Sequence, residues 1–162
     1  MIMQNDDSPI IRWLLGNDNP AVRYRTLTEL LGKKADKSEA VAWLHAFLPA
    51  GWKERKGLWF VYYLNSFAEC GLSFEDTGLD AETVIGYPFD AGCGDFMRLR
   101  ACARLGLGDA PAIKAISDKL HERQLPDGGF LCLHRLDKLK YTPKSCVKDN
   151  MHALLFCAEC KK

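Results

Sequence analysis

The sequence predicts an all-α fold of antiparallel helix pairs. Apolar residues recur three and four residues apart in one window after another, the spacing of a helix face. Most windows open on proline or a capping residue and close on glycine. No window alternates apolar and polar residues as a half-buried strand does. The chain has 162 residues, 48% hydrophobic and 27% charged, which suits one globular domain. No shift in composition divides it, so residues 1–162 read as a single helical domain.

The elements follow in order. Ser8 caps a first helix with Pro9 at its first position; Ile10, Ile11, Trp13, Leu14 and Leu15 form its apolar face, and Gly16 ends it. Asn19 and Pro20 open a second helix by the same chemistry. Tyr24, Leu27, Leu30 and Leu31 repeat along it, and Gly32 stops it. Ser38 caps a third, with Val41, Leu44, Phe47 and Leu48 on one side and Pro49 and Gly51 beyond its end. Residues 57–70 are apolar nearly all round, which predicts a helix buried on most sides. Its aromatic run also suits a strand. Residues 71–92 are glycine-rich and loop-like, long enough to contain a short helix near Asp80 to Ile85. A fifth main helix runs from about Cys93 to Leu105. A sixth follows Pro111, with Ile113, Ile116 and Leu120 inward, and a seventh runs from about Ser145 to the end.

Charge and termini exclude several classes. Lys and Arg number 22 against 21 Asp and Glu, a net charge of +1, which gives no global drive toward nucleic acid or an anionic membrane. Met1 to Ser8 lacks the basic and apolar regions of a signal peptide. The most apolar run, Leu58 to Leu64, is too short to span a bilayer. The expected location is the cytoplasm. There the 7 cysteines should be thiols, metal ligands or buried packing residues.

One segment carries a family signature. Gln124-Leu125-Pro126-Asp127-Gly128-Gly129-Phe130 is a turn followed by an aromatic. It resembles the repeat signature of the terpenoid cyclases and protein prenyltransferases, the α/α-toroid superfamily. In that family the Gln and the aromatic tie one helix end to the next repeat. The opening, Trp13 to Gly16 and Asn19 to Arg25, is similar to that of small prenyltransferase-like proteins of unassigned activity. The resemblance implies a partial α/α toroid, since a complete ring needs about twice this length. A HEAT-like helical stack is the alternative, and either would present a concave helical face. The acid motif of squalene-type cyclases is absent; Phe74-Glu75-Asp76-Thr77 does not replace it.

The resemblance also implies zinc, held in protein prenyltransferases by an Asp and a Cys followed by a later His. Asp90 with Cys93, or Asp95 in place of Asp90, and then His152 offer that set. A second, structural grouping joins Cys93, Cys132 and Cys146 with His134 or His152; all three cysteines stand at helix starts or after a turn, where thiolate is favoured. The same cysteines suit plain buried packing. Cys157 and Cys160 form a C-x-x-C at a helix end, on one stripe with Cys146, Asn150 and Ala153. His152 with Asp149 one turn earlier has the form of an oriented general base, while His45 and His121 occupy surface-like positions.

The resemblance further implies a diphosphate held by Lys, Arg and Tyr side chains: Arg98 and the basic loop with His134, Arg135, Lys138, Lys140 and Lys144, where Tyr141 also stands; that loop also reads as a solvated one. There is no phosphate loop or nucleophile elbow. Trp59, Phe60, Tyr62, Tyr63 and Phe67 suit core, or, as the resemblance to a toroid implies, the lining of an apolar cavity for an isoprenoid chain. Two functions stay open. One is a domain binding an isoprenoid-like ligand, with zinc. The other is a non-catalytic module whose concave face holds a protein partner. An incomplete ring also leaves room for closure by a second copy, a homo-oligomer.

Overall fold

The computed structural model describes residues 8–16, 18–86, 92–131 and 144–160. Among them the chain is all-helical, with eight α-helices and no strand. These are α1 (Pro9–Leu14), α2 (Pro20–Arg25), α3 (Ser38–Phe47), α4 (Leu58–Glu69), α5 (Ala81–Ile85), α6 (Cys93–Cys102), α7 (Pro111–Asp118) and α8 (Val147–Glu159).

Proline opens α1, α2 and α7, where its missing N–H costs nothing and its fixed φ suits the first turn. Asn19 caps α2, its Oδ1 accepting from Val22 N–H at 3.1 Å. Asp80 caps α5 by accepting from Thr83 N–H at 2.8 Å. Two expected caps differ. Ser8 makes no side-chain cap bond. Ser38 is the first residue of α3 and is itself held by Asp36, which accepts its N–H at 3.0 Å and its hydroxyl at 2.8 Å.

The short helix hidden in residues 71–92 is α5, preceded by a 3₁₀ turn over Phe74–Thr77. Asp76 anchors that turn, accepting from Ser73 N–H at 2.8 Å and from Lys37 Nζ at 2.9 Å. Periodicity gave no sign of another feature. Helices α2 and α6 both end in a widened π-turn, over Thr26–Leu30 and Ala103–Leu107.

Helix α6 lies between α4 and α8 and packs on both. The three run in the same direction. At one end the Leu58 side chain meets Gly94, and at the other Arg104 reaches Glu69. Arg100 likewise faces Glu159 near the end of α8. Helices α2 and α3 form a hairpin, joined by an Arg23–Glu39 ion pair. The core is built where these helices meet. Leu64, Phe67, Phe96, Leu99, Ile113 and Phe156 are each at most 1% exposed. Burying each of these side chains contributes roughly 1.5–3 kcal/mol.

Helix α4 departs from its expected burial on most sides. Phe60, Val61, Leu64, Phe67 and Ala68 are buried, but Leu58, Trp59 and Tyr62 are exposed by 45%, 64% and 42%. The aromatic set is therefore divided, with Phe60 and Phe67 in the core and Trp59 and Tyr62 on the surface. Among the described residues no helix is long and apolar enough to cross a membrane.

Candidate functional site

The signature turn, Gln124 to Phe130, is held by its own polar atoms. Gln124 Nε2 donates to the Gly128 carbonyl at 3.0 Å, and Leu125 N–H donates to the Gly129 carbonyl at 2.8 Å. Asp127 accepts from Gly129 N–H at 3.2 Å and from Ser145 N–H at 2.9 Å, so its carboxylate joins the turn to the approach of α8. These two backbone donors, Ser145 first, hold its pKa below the ordinary carboxylate value. Phe130 completes the joint. Its N–H donates to Asn150 Oδ1 at 2.7 Å, its carbonyl accepts from Cys146 N–H at 2.8 Å, and its ring meets Phe96 edge-on at 4.9 Å.

Glycine is required twice in this turn. Gly128 has φ +84°, the left-handed region that other residues rarely enter. A Cβ on Gly129 would stand 2.3 Å from Ser145 Cβ. Beside the turn a groove of about 400 Å³ is lined by Leu120, Phe130, Asn150, Ala153, Leu154 and Cys157, with Asp127 and Ser145 among its polar lining. The stripe through Asn150, Ala153 and Cys157 thus lies along a groove wall.

A second site lies along α4, α6 and α8. Residues three and four apart on a helix share a face. On α4 such a stripe is Leu58, Tyr62, Asn65 and Glu69; on α6 it is Cys93, Met97 and Arg100, continued by Arg104; on α8 it is Lys148, His152, Leu155 and Glu159. Asn65 Nδ2 donates to the Met97 carbonyl at 3.2 Å, tying the first two together. On α4 and α6 the face is polarised along the helices, while α8 places Lys148 at its start. On this face, exposed Leu58 and Tyr62 stand at the start and middle of α4; Trp59 lies about a quarter turn off the stripe, its ring beside Tyr62 and Tyr63. Charged groups gather at the far end. Arg104 Nη1 donates to Glu69 Oε1 at 2.6 Å, and Arg100 Nη1 lies 3.4 Å from the same oxygen. Arg25 brings a third guanidinium, donating to the Glu69 carbonyl at 2.6 Å and pairing with Glu29. The Glu29 hydrogen bond, opposed by partial burial, raises the Arg25 pKa. A polar groove of about 500 Å³ opens there, lined by Arg25, Glu29, Gly71, Arg104 and Glu159. Residues from both π-turns, Glu29 and Arg104, contribute to it.

Two buried polar atoms stand between α6 and α8 with no hydrogen-bond partner among the described residues: Arg100 Nε and His152 Nδ1. Burial lowers the His152 pKa, helped by the charges of Lys148 and Arg100 and opposed by Asp149. Asp149 is 2% exposed and does not orient the His152 Nδ1 atom.

The other residues singled out from sequence fall as follows. Arg98 is 2% exposed and donates to the Val84 carbonyl and to Asp95, at 3.2 and 3.3 Å; it ties α6 to α5 rather than lining either groove. Asp90, Cys132, His134, Arg135, Lys138, Lys140 and Tyr141 lie outside the described residues. Cys93 begins α6 and Cys146 immediately precedes α8. No three His, Cys, Asp or Glu side chains among the described residues gather into a set able to hold a metal ion. Cys70, Cys102, Cys146, Cys157 and Cys160 are free thiols. Burial pushes Cys102 up to about 11, and burial also raises Cys70 and Cys160. His45, placed at the surface by its sequence position, is half-buried and hydrogen-bonds with the Asp76 carbonyl at 2.8 Å.

Fold and sites together describe an all-helical domain with two surface grooves. No family model, curated protein or solved structure matches the chain.

Proposed function

We propose that the chain is a helical binding domain, a partial α/α toroid, whose α4–α6–α8 face holds an isoprenoid-like amphiphile with an anionic head. The observation that carries this reading is the polarity of that face. Exposed Leu58 and Tyr62 offer apolar contact at one end, with the Trp59 ring beside Tyr62. Arg100 and Arg104 offer guanidinium donors at the other. The two ends are about 16 Å apart by helix rise, so one extended molecule can touch both. Arginine is the side chain best shaped to grip a phosphate through paired donors. Three helices running the same way side by side, and a Gln124–Phe130 turn that binds α8, suit a toroid arc.

The test uses Trp59 as reporter. Tryptophan emission is followed while farnesyl diphosphate, farnesol or inorganic pyrophosphate is added, with Trp59→Phe identifying the responding ring. Farnesyl diphosphate should bind tightest, and Arg104→Gln should weaken it toward the level of farnesol. An unchanged spectrum and no calorimetric heat with all three compounds would remove the reading. A second reading, a protein-interaction surface, draws on α8, where Val147, Met151 and Leu154 are exposed by 84%, 48% and 72%.

A further inference from the structure

Arg104, which lines the polar groove, is already paired with an anion of the chain's own. Glu69 ends α4, and its side chain is half exposed at 49%. The same Oε1 atom meets Arg104 at 2.6 Å and Arg100 at 3.4 Å. Arg25 closes the third side through the Glu69 carbonyl at 2.6 Å. The Glu69 carboxylate thus meets two guanidinium groups, and the third holds the backbone carbonyl of the same residue. Two further carboxylates line the groove: Glu29 pairs with Arg25 within α2 and its π-turn, and Glu159 stands 3.9 Å from Arg100 Nε. Arg100 Nε is buried and has no hydrogen-bond partner among the described residues.

We infer that Glu69 is a displaceable latch on an anion seat: its carboxylate occupies the place between Arg100 and Arg104 that a ligand's phosphate takes. The inference rests on the amphiphile reading and names the group that regulates the same face. A phosphate or diphosphate brings more charge and more acceptor oxygens than a carboxylate, so it can satisfy both arginines at once. Glu69 can yield because its side chain is half in water and needs no new partner when it swings out. A monoanionic carboxylate ligand offers no such gain over Glu69. The seat therefore selects for a dianionic or more highly charged head group. A free phosphate and a phosphorylated lipid share that chemistry, and the probes below separate them.

The experiment measures inorganic pyrophosphate, farnesyl diphosphate and farnesol by calorimetry on the wild type, Glu69→Gln, Glu29→Gln and Arg104→Gln. Removing the competing carboxylate should tighten both diphosphates by about tenfold, the scale of one charge-assisted hydrogen bond. Farnesol should be unaffected by Glu69→Gln. Glu29→Gln should tighten the diphosphates much less, and Arg104→Gln should weaken them. Tightening of pyrophosphate alone marks a free phosphate as the ligand; tightening of both, with the farnesyl compound the stronger, marks the amphiphile. Diphosphate affinity unchanged or lowered in Glu69→Gln overturns the latch, as does equal tightening in Glu29→Gln, which a general charge effect would give. Wild-type binding without that response leaves the amphiphile reading standing and removes only the latch. Absence of binding in all four proteins removes both. Helical circular dichroism of each variant, and a Glu69→Ala variant run alongside, exclude a folding defect as the cause.

Discussion

Two regions use polar groups in opposite ways. The Gln124–Phe130 turn consumes its hydrogen-bonding capacity internally. Gln124, Asp127 and the Phe130 N–H all find partners within the turn or at the start of α8. The ends of α2, α4 and α6 instead bring Arg25, Arg100 and Arg104 together with the carboxylates of Glu29, Glu69 and Glu159, and Arg100 and Arg104 share the half-exposed Glu69 carboxylate. The first arrangement fixes geometry. The second keeps charge near water, where partners exchange at small cost. A recognisable motif therefore marks the joint, while the arginine cluster carries no local motif.

The sharpest way to break this contrast is Gly129→Ala. Its Cβ would stand 2.3 Å from Ser145 Cβ, so either the turn or the start of α8 must move. The expected loss is about 2–3 kcal/mol, the scale of overpacking in a tight site. Urea unfolding followed by circular dichroism reads it. A midpoint within error of the wild type would mean that the joint is loose and the contrast false. Asn150→Ala should come next. It removes the acceptor 2.7 Å from Phe130 N–H beneath a mostly buried ring, at about 1–3 kcal/mol. Arg104→Gln should show the reverse pattern. Its partner Glu69 is half exposed, so stability should change by no more than about 1 kcal/mol. Diphosphate binding should nevertheless fall. A large stability loss in Arg104→Gln with binding intact would make the groove a structural clasp.

Sequence reasoning reaches these regions unequally, for a physical reason. Helix starts are local events, so Pro9, Pro20 and Pro111 place α1, α2 and α7, and Asn19 marks a true cap. The helix near Asp80 is legible for the same reason. Ser38 misleads because Asp36, two residues earlier, takes the hydrogen bonds around it. The π-turns after α2 and α6 depend on how each helix end packs, which no spacing of apolar residues encodes. Exposure on α4 is hidden as well. Leu58, Trp59 and Tyr62 look like core in sequence, and only the arrangement of neighbouring helices leaves them bare. The arginine groove is the least legible part. Residues 25, 69, 100 and 104 come from three separate helices and their turns. Arg98, the arginine chosen from sequence, shares α6 with Arg100 but points into the α5 contact.

Acid titration gives the finest test of the same contrast. Asp127 holds two backbone N–H groups, and its folded-state pKa lies below the ordinary carboxylate value. A carboxylate shifted that way contributes stability at pH above its unfolded-state value; the contribution is lost as pH falls through the folded-state one. Asp76 contributes with the same sign: burial works against its charged form, but the Lys37 and Ser73 hydrogen bonds outweigh it. Asp127→Asn should therefore flatten the acid limb without abolishing it. The amide keeps one acceptor oxygen but turns an N–H donor toward the other backbone N–H, so the variant should also be less stable at neutral pH. The two stability curves should converge toward low pH, because protonation costs the wild type what the substitution has already removed. His152 acts in a higher window. Its pKa is lowered by burial, so folding loses stability as pH falls through the ordinary imidazole range. The Asp127→Asn difference should be constant across that range. Parallel curves all the way down through the carboxylate range would show that Asp127 does not hold the turn through its charge, and the distinction between a self-satisfied joint and an exchangeable charged groove would lose its best-defined member.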